Sequence, residues 1–82
     1  MPLYMDTHDE IEGLTGDAVA HAHARDVEVG PKHGVNYINY WYSRKGRVFC
    51  LVDAPSAEAA SAVHREAHGL VAEDITEVLQ GA

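Results

Sequence analysis

One cysteine, Cys50, stands in a chain of 82 residues, so no disulfide can form within it. A single thiol in so short a chain points to a reducing compartment. Basic residues are also scarce: 6 Lys and Arg face 13 Asp and Glu, a formal net charge of −7. Nucleic-acid phosphates demand a basic stripe, and anionic membrane surfaces attract basic segments, so neither is expected as a partner. No apolar run approaches the roughly 20 residues that span a bilayer. Met1 to Glu10 has acidic residues where a signal peptide would have a basic start and an apolar core. The expectation is a cytoplasmic protein. There is no Gly-rich phosphate loop, no Walker pattern and no CxxC.

Histidine is abundant: six residues in an acidic chain. Neutral imidazole is the commonest metal ligand, and negative charge suits cations. The chain has the size of one domain, expected over residues 1–82. A domain of this length buries only about 60 per cent of its unfolded surface, so a metal or a second subunit would help it.

The pattern of elements is readable. Leu3 to His8 alternates as a strand, with Tyr4, Asp6 and His8 on one face. Thr15 suits an N-cap for a helix from Gly16 to about Val29, stopped by Gly30 and Pro31. Its apolar side is expected to hold Val19, Ala20, Ala22, His23 and Val27. Val35 to Tyr42 is rich in β formers. The turn Arg44-Lys45-Gly46 leads into Arg47 to Asp53, apolar on both faces and so expected at the centre of a sheet. Ser56 caps a second helix running to about His68, with Gly69 as its stop. Its buried stripe is Ala59, Ala60, Val63 and Ala67, with His64 at the edge and His68 further toward solvent. Asp74 to Gln80 closes the chain as a strand. The order β-α-β-β-α-β predicts an α+β, ferredoxin-like domain: a four-stranded antiparallel sheet with two helices on one face. An apolar outer sheet face would favour a homodimer.

Two ligand pairs stand at i,i+4 spacing. His64 and His68 lie one turn apart and can chelate one transition-metal ion. The same pair also suits a boundary histidine followed by one that favours the helix C-terminus. Asp17 and His21 form the second pair on the exposed face of the first helix, and a surface ion pair is the plainer reading there. His8 is a reserve ligand. His23 with Asp26 three residues on reads as a structural hydrogen bond or an oriented base, and Cys50 as inert packing. Imidazole and carboxylate donors accept Ni, Zn, Cu or Co, with Cu generally bound more tightly than Ni.

Tyr40-Trp41, Val48-Phe49-Cys50-Leu51-Val52, Ala54-Pro55-Ser56-Ala57-Glu58-Ala59 and Val63-His64-Arg65-Glu66-Ala67-His68-Gly69 resemble a family of short bacterial proteins. It is largely a domain of unknown function, and it includes small nickel-binding proteins. Ala22-His23-Ala24-Arg25-Asp26 and Gly34-Val35 fit as well. The resemblance implies a ferredoxin-like homodimer that binds Ni2+ to sequester it and lessen its toxicity. It implies that His23, Asp26, Cys50, His64, His68 and Gly69 serve the group's general role. A nickel site at Asp17 and His21 would be particular to this chain.

The reading is therefore a binding protein rather than an enzyme. Its expected metal ligands are Asp17, His21, His64, His68 and His8. Binding should weaken near pH 5, because protonated imidazole does not ligate. Nickel bridging between exposed sites should drive dimers into larger assemblies that a chelator disperses. The alternative is a dimeric α/β-barrel-type small-molecule binder or enzyme. Its pocket would lie between sheet and helices, with Trp41 and Tyr40 as walls and His23, Cys50 or His68 as polar groups.

Overall fold

A computed structural model describes residues 2–81. The elements are β1 (Leu3–His8), α1 (Gly16–Val29), a 3-10 turn (Gly30–His33), β2 (Asn36–Tyr42), β3 (Val48–Asp53), α2 (Ala57–Ala67) and β4 (Asp74–Val78). The sheet order is β2-β3-β1-β4 with every pairing antiparallel, which is the ferredoxin-like arrangement. Both helix starts are capped as the sequence indicates. Thr15 Oγ1 accepts from the Ala18 N–H at 3.1 Å, and Ser56 Oγ from the Ala59 N–H at 3.1 Å. Gly69, at φ +81°, ends α2 by donating to the His64 carbonyl at 2.8 Å.

The sheet faces are sorted by register. Val48, Cys50 and Val52 of β3 share the helix-facing side with Tyr4, Asp6 and His8 of β1. Phe49 and Leu51 point the other way with Leu3, Met5 and Thr7. In β2 the pairing jumps from Tyr37 to Asn39, so Ile38 is an extra residue, a β-bulge. The bulge puts Tyr37 and Tyr40, three positions apart, on the same helix-facing side. Trp41 falls on the outer face opposite Phe49 and is 48% exposed.

The interior is built from small aliphatics. Val52, Ala54, Ala60 and Val63 are fully enclosed. Among them sit four buried polar groups, Asp6, His8, Asp26 and His64. Charged side chains are almost never fully buried unless paired, and these four lie together in the interior.

α1 lies rotated from the apolar stripe expected of it. Val19, Asp26 and Val29 are buried, whereas Val27 is about half exposed and Ala20 is exposed. Hydropathy places an aspartate outside. Here ionic partners on α2 draw Asp26 inward and turn the helix with it. α2 differs in the same sense: His64 is buried, not marginal.

Gly46 fixes the loop that follows β1. It sits at φ +87°, and a Cβ there would lie 2.6 Å from the Ile11 carbonyl oxygen. The Ile11 N–H in turn donates to the Gly46 carbonyl at 2.8 Å. Gly46→Ala is expected to lose more than about 1 kcal/mol through left-handed strain and the backbone clash. Urea denaturation would show it, and amide exchange should rise in the Ile11 loop.

Candidate metal centre

His64 projects from α2 into the space between the helices and the sheet, and four elements meet on it. Its Nδ1 lies 2.9 Å from Asp26 Oδ1 of α1. Its Nε2 lies 2.9 Å from Asp6 Oδ2 and 3.3 Å from His8 Nε2, both on β1. The Tyr37 hydroxyl of β2 stands 3.1 Å from the same nitrogen, donating to Asp6 Oδ2 at 3.0 Å or to the Ala60 carbonyl at 3.2 Å. His68, at the end of α2, reaches Asp26 with Nε2 at 3.1 Å. Cys50 of β3 completes the ring of donors around Asp6, His8 and His64. In Asp6, His8, Cys50 and His64 one donor atom from each falls within 4.8 Å of all the others; Asp26, His64 and His68 form a second such group.

Electrostatics follow from burial and pairing. Burial alone would push the His64 imidazolium down, but hydrogen bonds to Asp26 and Asp6, with their charges, override it and raise its pKa to about 9. Burial pushes the Asp6 and Asp26 carboxyls up, yet His64, helped by His8 and His68 respectively, holds both below the usual carboxylate range. Burial and the Asp6 charge push the Cys50 thiol well above its ordinary value, so it is a protonated donor until an ion displaces the proton. Tyr37 moves the same way for the same reasons and stays a hydroxyl.

The donor set fits a first-row transition ion. Two donors at about 2.1 Å from one ion and at right angles are about 3.0 Å apart. His64 Nε2 lies 2.9 Å from Asp6 Oδ2 and 3.3 Å from His8 Nε2, and His8 Nε2 lies 3.4 Å from the other Asp6 oxygen, Oδ1. Asp6 Oδ1 is buried without a hydrogen-bond partner, an acceptor left over by the protein itself. Two imidazoles and a carboxylate are borderline-to-hard ligands suited to Ni, Zn, Co or Fe, and a thiolate extends the range to softer ions.

Of the ligands expected from sequence, His8, His64 and His68 come together. Asp17 and His21 do not join them: both are exposed on α1, and neither belongs to a group of three or more potential ligands among the described residues. Asp6 and Asp26, which join the two groups of potential ligands, were not among the expected ligands. The available signal was Asp6 sharing a strand face with His8. His23 and Asp26 do not pair. Asp26 is taken by His64 and His68, while the His23 ring packs on Tyr40 at 4.7 Å and its Nδ1 is buried without a partner. His33 is held by Glu66 at 3.3 Å.

A pocket of about 200 Å³ opens in front of the cluster, with His8, Cys50, His64 and His68 at its polar end and Tyr40 and His23 in its wall. The sequence expectation of a pocket between sheet and helices thus has a physical counterpart, without Trp41, which the bulge sends to the opposite face.

Among the described residues no helix is long and apolar enough to cross a membrane. No curated protein matches the sequence. The crystal structure of SCO4226 from Streptomyces coelicolor A3(2) matches with a TM-score of 0.89 and 36% identity, over 98% of this chain and 99% of that one. Residues 4–78 match the family model described as nickel responsive protein SCO4226-like. With a core of this shape, and with a match running from β1 to β4, the chain belongs to the SCO4226-like family.

Proposed function

We propose that the protein binds nickel, and that the ion is held by Asp6, His8 and His64 at the floor of the pocket. The observation that carries this is the convergence of Asp6, His8 and His64, with Asp6 Oδ2 and His8 Nε2 at 2.9 and 3.3 Å from His64 Nε2, and Asp6 Oδ1 buried at 3.4 Å from His8 without a hydrogen bond. Cys50 is a further donor within reach, and Asp26 holds His64 at its other nitrogen while His68 braces Asp26. The family's description as nickel responsive supports the choice of ion. The role is binding and sequestration rather than catalysis, in the cytoplasm, where the lone thiol stays reduced.

The working unit is a homodimer joined through the outer sheet face. Leu3, Met5, Leu51, Val78 and Leu79 line a shallow hollow there, and Leu79 is 93% exposed. Asp17 and His21, exposed one turn apart, supply a second and weaker class of site that bridges dimers when nickel is in excess.

Calorimetric titration with Ni2+ at neutral pH tests the reading. Wild type should show a saturable tight phase that His8→Ala and His64→Ala weaken by about 100-fold or more. Asp17→Ala with His21→Ala should leave that phase intact. The double variant should abolish the nickel-driven growth in particle size that light scattering follows and a chelator reverses. No saturable heat would remove the proposal. Tight binding lost only with Asp17 and His21 would move the site to the surface.

A further inference from the structure

Metal holding by itself leaves the cleft in front of the cluster without a purpose. Its volume of about 200 Å³ exceeds the roughly 150 Å³ of an engineered cavity that takes up benzene. Its walls are contributed by Ile11, Leu14, Val19 and Leu70, with the ring of Tyr40 beside that of His23. His8, Cys50, His64 and His68 supply polar lining, and Asp6, fully enclosed, stands against His8 and His64. The space therefore suits a molecule with an apolar body of about one ring and a single polar head.

The charge of the head follows from the ligands. A dication there balances the Asp6 and Asp26 carboxylates, and its three protein ligands leave coordination positions that a carboxylate oxygen, a stronger donor than a neutral amide, can fill from the cleft. Without the ion, the same donor meets Asp6 and Asp26 behind the imidazoles and Glu12 in the pocket lining, all negative. Anion and ion should therefore bind together, each raising the other's affinity.

We infer that the nickel-loaded protein takes a small apolar monocarboxylate in this pocket, with its ring against Tyr40 and its carboxylate at the His8–His64 end. The inference rests on the nickel reading above. Benzoate is the probe, titrated calorimetrically into nickel-loaded and metal-free protein, with benzamide as the uncharged isostere. Benzoate should bind the loaded protein saturably, at least tenfold more tightly than it binds metal-free protein and tenfold more tightly than benzamide binds. It should also shift the visible absorption of bound nickel. Ala22→Leu and Leu14→Trp fill the cleft from two sides without touching a ligand. Each should keep nickel affinity and lose benzoate. Nickel binding without benzoate binding overturns this inference alone. Equal benzoate affinity with and without nickel, or benzoate retained in both filled variants, also overturns it. Absence of nickel binding overturns the nickel reading and this one with it.

Discussion

Replacing Asp6 by alanine is expected to cost about 3–5 kcal/mol of folding stability, because it leaves a buried charge without its partner. Asp6 is fully enclosed, and its carboxylate faces His64 at 2.9 Å, Tyr37 at 3.0 Å and His8 at 3.4 Å. A chain of this length has a total margin of about 4–12 kcal/mol, so the loss is about a quarter of it or more. Each kcal/mol moves the melting temperature by about 4–8 °C in a domain of this size, so melting should fall by roughly 12 °C or more. Asp6→Asn separates stability from binding. The amide keeps the volume and one acceptor oxygen, so part of the stability returns, but the anionic donor is gone. Nickel should raise the melting point of wild type and leave both variants unmoved. Thermal melts followed by circular dichroism, with and without Ni2+, decide both points. A wild-type melting point in Asp6→Ala would mean that the carboxylate is not buried against His64.

Nickel should flatten the protein's stability change between pH 6.5 and 9, its rising affinity offsetting the contribution that His64 loses. In metal-free protein the His64 pKa is raised from 6.5 to about 9, so its contribution is complete below pH 6.5 and is lost as pH rises through about 9. Asp6 and Asp26 are lowered from 3.8, so theirs is present above pH 3.8 and is lost on acidification. Metal-free protein is therefore most stable between these limits and weakens toward pH 9. The ion, in contrast, needs His64 without its proton. Apparent nickel affinity should climb about tenfold per pH unit from 6.5 to about 9, with one proton released per ion, and then level off. Calorimetry in buffers of different ionisation enthalpy counts that proton. A flat affinity across this range would show that His64 is not a ligand.

The element order and the caps were legible because they depend on local chemistry. Thr15, Ser56 and Gly69 act within one turn of where they stand. The outer and inner faces of β1 and β3 were legible as alternation. The site was legible only in part, because its members were drawn together by charge and not by hydropathy. His8, His64 and His68 could be named from residue type and spacing. Asp26 could not be placed, since an apolar-stripe argument sends an aspartate outward and Val27 inward, the reverse of what occurs. Tyr37 and Tyr40 could not be assigned to one face, because strict alternation separates residues three apart. Nothing in the run of aromatics announces that Ile38 is the extra residue. Cys50 was expected to be inert packing. It is buried as expected, but its neighbours include Asp6 and His64.

The cluster is assembled from the far ends of the chain, with 58 positions between Asp6 and His64, 56 between His8 and His64, and 38 between Asp26 and His64. On the ribosome, Asp6, His8, Asp26 and Cys50 all emerge before His64 does. A nascent chain that has not yet delivered α2 carries most of the donors but has no site. On the nickel reading, occupancy is thus tied to delivery of α2. A chain cut short before α2 would discard the ion instead of trapping it.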